Sequence, residues 1–241
     1  MSGVVNWLRS LASYALLVLY IAIVGPPALA VASLTGRTSH VFVLGRFGAQ
    51  SVRRLLGIRL EVEGLAHVVA ERPTLYCINH RSNVDVVAFE ALFARCPRLR
   101  GLYKAEMSRL PVLGRAMRLV GFVPVDRANR SSAIASVDAA AKRLAAGDSF
   151  IIAPEGTRAR GDQMLPFKKG GFVMAIKAQA PVVPVALHGT ADAMPRGRFW
   201  VKPGVVRVEV GAPISTAGLT IDDRGRLMET VRQRLQEMLA N

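Results

Sequence analysis

Residues 74–85 read Thr-Leu-Tyr-Cys-Ile-Asn-His-Arg-Ser-Asn-Val-Asp, an apolar run that stops on Asn79-His80 and meets a carboxylate at Asp85. Thr74–Asn79 has the length and composition of a buried strand. Ser82 or Asn83 can cap a helix that starts near Val84. A strand, a polar turn and a helix in that order are the unit of a layered α/β fold. With His80 in the turn and Asp85 in the first helical turn, the two side chains can meet, although five positions along a regular helix would separate them. Asp85 would then accept from one ring nitrogen and leave the other free as a base. The plainer reading, a loop histidine beside a capping aspartate, is about equally consistent with the spacing.

A similar arrangement recurs further on. Phe150–Ala153 is a short apolar run, and it leads into Pro154-Glu155-Gly156-Thr157-Arg158. Gly156 lets the backbone turn, Thr157 offers a hydroxyl and Arg158 a planar donor fork suited to phosphate. Glu155 is an acceptor able to hold Arg158 or a substrate hydroxyl. A surface turn with an ion pair explains the same five residues. If the two strands lie parallel, however, their polar tips share the carboxyl edge of the sheet, where open α/β folds bind ligands.

Other strands are expected at 59–63, 122–125, 182–187 and 205–210. Helices are expected at 84–95, 109–119, 131–146, 170–179 and 222–239, with Ser131 as an N-cap and Gly147 as a stop. The alternation predicts an α/β domain over 58–241, with a mostly parallel or mixed central sheet flanked by helices. Between the two polar turns, residues 95–130 hold nine Lys/Arg and two acids, among them Lys104, Arg115, Arg118 and Arg127. Such a cluster can serve a phosphate site or simply face anionic lipid.

The whole chain has 32 Lys+Arg against 17 Asp+Glu, a formal charge of +15, and 51% hydrophobic residues. Basic and apolar together favour an anionic membrane surface over nucleic acid, and no finger, helix-turn-helix or aromatic stacking set points to a nucleic-acid partner. Cys77 and Cys96 have no metal-binding spacing and suit a reducing cytoplasmic setting. His40, His67 and His188 are read as structural. Phe199-Trp200, beside Arg196, Arg198 and Lys202, is either an interfacial contact or a loop packed on the core.

Residues 10–36 contain no charged side chain, enough for one membrane-spanning helix of about 20 residues. Gly25-Pro26-Pro27 interrupts the run, so two short apolar helices broken at that point are expected. Arg9 on one flank and Arg37, Arg46, Arg53, Arg54 and Arg59 on the other place both ends in the cytoplasm. Residues 1–57 are thus expected to form a two-helix membrane anchor, monotopic or dipping into a single leaflet of the cytoplasmic membrane from its cytoplasmic face. A kinked span, a signal peptide cut after Ala28-Leu29-Ala30, and an apolar pair packed on the core are the alternatives.

Taken in order, these segments resemble the 1-acylglycerol-3-phosphate acyltransferase family, also called lysophosphatidic acid acyltransferases. Asn79, His80, Ser82 and Asp85 match its NHxSxxD signature. Lys104, Glu106, Pro111, Gly114, Gly121 and Val125-Asp126-Arg127 match its second block, and Glu155–Arg158 match EGTR. Phe167–Gly170 and Ala180–Val185 match later blocks. Ala153 departs from the usual phenylalanine before PEGTR, and Met107 from a common leucine.

The resemblance implies acyl transfer from acyl-CoA or acyl carrier protein to the free hydroxyl of a lysophospholipid, with no metal or redox cofactor. His80 would be the general base and Asp85 its orienting acid. Arg158, Lys104 and Arg127 would bind the acceptor phosphate, with Glu155, Gly156, Thr157 and Ser82 completing the acceptor site. A sibling enzyme acylating a lyso-aminolipid, another lysophospholipid or glycerol phosphate is the runner-up. A basic membrane protein without catalysis explains the charge but not the motif order.

Overall fold

The computed structural model describes residues 2–69, 71–161 and 163–240. Seven strands form one mixed sheet in the order β1-β7-β6-β2-β5-β3-β4. They are β1 (Ile58–Glu63), β2 (Leu75–Ile78), β3 (Leu99–Lys104), β4 (Val123–Val125), β5 (Ser149–Ile152), β6 (Val182–His188) and β7 (Gly204–Val210). β2 runs parallel to β5 on one side and β6 on the other, and β3 and β4 continue the parallel set. β7 turns back, antiparallel to β6, and β1 beside it runs in the same reversed direction. β2, β3, β4, β5 and β6 therefore all end at one edge.

The central strand shows why the sheet forms. Leu75 and Cys77 point into one apolar layer, Tyr76 and Ile78 into the other, and all four are buried. A strand buried on both faces reads as continuous apolar sequence rather than alternation. One layer is closed by α5 (Arg130–Ala145), α6 (Gly170–Ala178) and α8 (Arg224–Ala240). α3 (Val87–Phe93) sits in the other. α4 (Pro111–Leu119) links β3 to β4, and the single-turn α7 (Thr190–Ala193) follows β6. Both cysteines are buried and free, and burial pushes their thiols up in pKa, which makes them inert packing groups.

Three expectations are corrected. β3 was not anticipated, because Arg100, Gly101 and Lys104 break the apolar pattern. The cap of α5 is Asn129, whose side chain accepts from the Ser132 amide at 3.1 Å, rather than Ser131. Most importantly, the N-terminal helix does not break at Gly25-Pro26-Pro27.

α1 is continuous from Ser2 to Thr35 with both prolines inside it, and the chain reverses at Gly36 (φ 69°) into α2 (Ser39–Leu55). Each interior proline costs about 3 kcal/mol of helix propensity, and tertiary packing offsets it here. Gly25 lies so close to α4 that a Cβ at this position would collide with Val112 Cγ1. Ala28, Leu29 and Ala32 are buried beside it. Tyr20 donates to the Leu44 carbonyl at 2.9 Å, and His40 Nε2 lies 2.8 Å from the Ala28 carbonyl, so α2 folds back along α1.

α1 also lies along the α/β domain over most of its length. Ser10 Oγ accepts from the Val201 amide at 2.8 Å near one end, and Arg115 donates to Ser33 Oγ at 3.2 Å near the other. Those contacts are about 35 Å apart along the helix axis. The outward face is apolar: Val4, Val5, Leu8, Leu16, Val18, Leu19 and Ile23 are exposed on α1, with Val43 and Phe47 on α2.

Candidate active site

β2 ends on Ile78, and Asn79 anchors the chain as it leaves the sheet. The Asn79 carboxamide donates to the Leu187 carbonyl at 3.0 Å and accepts the Leu187 amide at 2.8 Å. It thereby prolongs the pairing with β6 through a side chain. His80 then emerges from the sheet edge with its backbone fixed on one side and its ring directed toward Asp85.

Ser82 caps the 3-10 turn at 83–86, its hydroxyl accepting from the Val84 amide at 3.1 Å and donating to the Met194 carbonyl at 2.8 Å. Asp85 completes the capping box, Oδ2 accepting from the Ser82 amide at 2.9 Å and the Arg81 amide at 2.8 Å. The same Oδ2 meets His80 Nδ1 at 2.8 Å. Capping and histidine orientation, which competed in the sequence, are performed by one oxygen. The Asp85 side chain is 3% exposed and that of His80 is 28% exposed. The carboxylate is therefore sealed while the imidazole faces the open edge. With Nδ1–H donated to Asp85, the lone pair of the ring is on Nε2.

The second polar turn docks onto the first. The His80 amide donates to Glu155 Oε1 at 2.8 Å, and the His80 carbonyl accepts from the Ala159 amide at 2.8 Å. Glu155 Oε2 accepts from the Leu165 amide at 2.7 Å. Both oxygens of this buried carboxylate are thus engaged by backbone, and its part is to join the two turns. Burial raises its pKa, and the two N–H bonds oppose that rise.

Gly156 has φ 72° and packs against the Lys168 chain, a position that suits glycine. The Arg127 guanidinium donates to the Gly156 carbonyl and so braces the turn from the end of β4. Lys104, exposed at the end of β3, stands on the same edge. Thr157 is exposed and Arg158 half-buried. Every site residue expected from sequence is therefore on the carboxyl edge, at the end of β3 or in the segments that follow β2, β4 and β5.

Two contributions are not foreseen in the sequence. Asn79 belongs to the matched signature, but its side-chain bridge to β6 is not read from it. The loop at 194–201 is read only as an interfacial or core-packed loop, because only the fold brings it over the His80 turn. Its Met194 carbonyl holds Ser82, its Arg196 guanidinium donates to the Arg158 carbonyl, and Phe199 meets Tyr14 of α1 edge-on at 5.1 Å.

A family model described as Acyltransferase matches residues 59–188, which span β1 through β6 and both polar turns. Fold and site together define an α/β acyltransferase with a histidine–aspartate pair. The chain is 33% identical to mouse 1-acyl-sn-glycerol-3-phosphate acyltransferase alpha over 90% of its length and 75% of that protein's. It is 34% identical to 1-acyl-sn-glycerol-3-phosphate acyltransferase of Limnanthes douglasii over 70% of its length and 59% of that protein's. The crystal structure of the 1-acyl-sn-glycerophosphate acyltransferase PlsC from Thermotoga maritima superposes with a TM-score of 0.80 at 24% identity, covering 100% of both chains, and it shares the fold. The chain belongs to the 1-acyl-sn-glycerol-3-phosphate acyltransferase family.

Proposed function

We propose that this enzyme moves a fatty acyl group from an acyl thioester, acyl-CoA or acyl carrier protein, to the free sn-2 hydroxyl of lysophosphatidic acid, giving phosphatidic acid. The observation that supports this most strongly is the bonding of His80 to both motifs at once, through its ring to Asp85 and through its amide to Glu155.

In this reading His80 Nε2 removes the hydroxyl proton as the oxygen attacks the thioester carbonyl. Asp85 keeps Nδ1 protonated and stabilises the imidazolium that forms. The tetrahedral adduct then expels the thiolate with cleavage of the C–S bond, and the imidazolium returns its proton to sulfur. No protein nucleophile intervenes in this reading; the Ser82 hydroxyl, two residues from His80, is buried and committed to the Met194 carbonyl. The thioester supplies the activated acyl group, so the reaction as written uses no metal or organic cofactor.

Arg158 and Lys104 hold the acceptor phosphate, and Arg127 acts through the Gly156 carbonyl it braces. Among the described residues the Arg158 and Lys104 side chains have no ion-pair partner, which leaves both cations available to an anion.

A helix that touches the α/β domain at both Ser10 and Ser33 lies alongside it. We therefore infer that α1 and α2 rest in the plane of the cytoplasmic leaflet, their apolar face in lipid and Arg37, Arg46 and Arg54 near headgroups, while Arg53 is committed to Glu90 and the Ile58 carbonyl. Removal of residues 1–36 should release the protein from anionic vesicles in a flotation assay; unchanged flotation contradicts the anchor.

The acyl acceptor is tested with purified protein, one labelled acyl thioester and a panel of lysolipids and glycerol 3-phosphate. Lysophosphatidic acid should be acylated fastest. Preferential acylation of glycerol 3-phosphate or a lyso-aminolipid would assign the machinery to a sibling reaction.

A further inference from the structure

Arg158 opens onto a cleft of about 410 Å³ whose walls include Tyr14, Asn83, Met194, Arg198 and Phe199. Two guanidinium side chains, Arg158 from the EGTR turn and Arg198 from the loop after α7, thus line one space that also reaches Asn83 in the turn after His80. Neither has an ion-pair partner among the described residues. Arg198 instead lies over the Trp200 ring at 4.8 Å from its centroid, which orients the planar fork and leaves its edges open to an anion.

The wall that presents Arg198 is built in advance of any ligand. The Met194 carbonyl is held by Ser82, and the Arg196 guanidinium donates to the Arg158 carbonyl. The Phe199 carbonyl accepts from the Tyr14 hydroxyl at 3.0 Å, and the Val201 amide donates to Ser10 Oγ at 2.8 Å. Gly197 provides the turn, with φ 89°. The loop is therefore fastened to the catalytic turn, to the EGTR turn and to the membrane-facing helix. Two cations in one cleft repel each other until an anion enters, and a doubly charged one gains most.

We propose that Arg198 is a specificity-determining residue that grips the acceptor headgroup together with Arg158, selecting phosphomonoesters, which carry two charges, over phosphodiesters, which carry one. This rests on the reading above, in which the acceptor hydroxyl faces His80. A phosphate in this cleft could come from the single-chain lipid acceptor or from a CoA donor. The location argues for the acceptor, since Tyr14 and Phe199 bring aromatic surface to the cleft where the domain meets α1, against which the chain of a lysolipid can lie.

The experiment has a binding arm and a kinetic arm, on wild type, Arg198→Ala, Arg198→Lys and Arg158→Ala in detergent micelles. Calorimetry measures binding of dodecyl phosphate and of its methyl diester without any donor. Arg198→Ala should weaken dodecyl phosphate about 10- to 100-fold, the range expected for one charge-assisted contact. Binding of the diester should change far less. Arg198→Lys should recover part of the loss, and Arg158→Ala should behave like Arg198→Ala.

In the kinetic arm, Arg198→Ala should raise KM for lysophosphatidic acid by a similar factor, with kcat and the KM for acyl-CoA held within about twofold. Unchanged dodecyl phosphate binding overturns the proposal, as does a rise confined to the acyl-CoA KM. If wild type fails to acylate lysophosphatidic acid while Arg198→Ala still loses the phosphomonoester, the functional reading falls and the cleft stands.

Discussion

Two ionic clusters lie at opposite edges of the same sheet, and each is centred on a buried aspartate. At the carboxyl edge, Asp85 Oδ2 holds two backbone amides and one imidazole, and the imidazole keeps a free nitrogen toward solvent. At the other edge, Asp148 receives Arg98 at 3.1 Å, Arg100 at 3.4 Å and Arg143 at 2.6 Å. Arg100 is further covered by Phe42 of α2, its guanidinium carbon 4.7 Å from the ring centroid. One carboxylate is arranged so that its partner can still react; the other is shared among three guanidinium groups. The two carboxylates are alike in burial. The difference lies in the partner: an imidazole with an unused ring nitrogen at one edge, guanidinium groups with no basic atom at the other.

The sharpest way to break this contrast is His80→Ala. Acyl transfer should fall by about 10³- to 10⁴-fold, the scale of a general base. The melting temperature should barely move, because Asp85 retains its two amide donors. Near-normal turnover would remove His80 from the chemistry.

Asp85→Asn sharpens it. The amide oxygen can still accept at the turn, but the negative charge that supports the imidazolium is gone. kcat should fall about 10²- to 10³-fold, less than for loss of the base, while circular dichroism shows the helix start retained. If Asp85 served only as a cap, kcat would stay within a few-fold of wild type.

Asp148→Ala should give the opposite profile. It leaves Arg100 nearly buried without its acid, which costs about 3 kcal/mol and lowers the melting temperature by about 6–12 °C. Its effect on kcat at a temperature where the protein is folded should be the smallest of the three, within about twofold. A large loss of activity without loss of stability would make the two clusters functionally alike and defeat the comparison.

How far each region could be read from sequence depends on the range of the forces involved. β2 and β5 were legible because strands buried on both faces must be apolar throughout, and the polar turns after them stood out by contrast. The pairing of His80 with Asp85 was legible as a possibility, since capping and orientation use the same spacing. It needed coordinates to show one oxygen performing both.

β3 was hidden because Arg100 looks like a surface residue until Asp148 and Phe42, both remote in sequence, enclose it. The prolines of α1 misled for a related reason. Their local chemistry argues for a break, and only the close approach of Gly25 to Val112 shows how packing overrules it. Glu155 invited pairing with its neighbour Arg158, yet its oxygens go to the His80 and Leu165 amides. That choice frees Arg158 for the cleft, and nothing within the pentapeptide reveals it.

The proposed mechanism places the acceptor hydroxyl against His80 while its phosphate lies against Arg158. A crystal structure of the protein with 1-acyl-sn-glycerol 3-phosphate bound tests this directly. The sn-2 oxygen should be within about 2.6–3.2 Å of His80 Nε2, hydrogen-bonding distance for a base, with the phosphate between the Arg158 and Arg198 guanidinium groups. A lipid bound with its phosphate on another face, or with the sn-2 oxygen turned away from the imidazole, would contradict it.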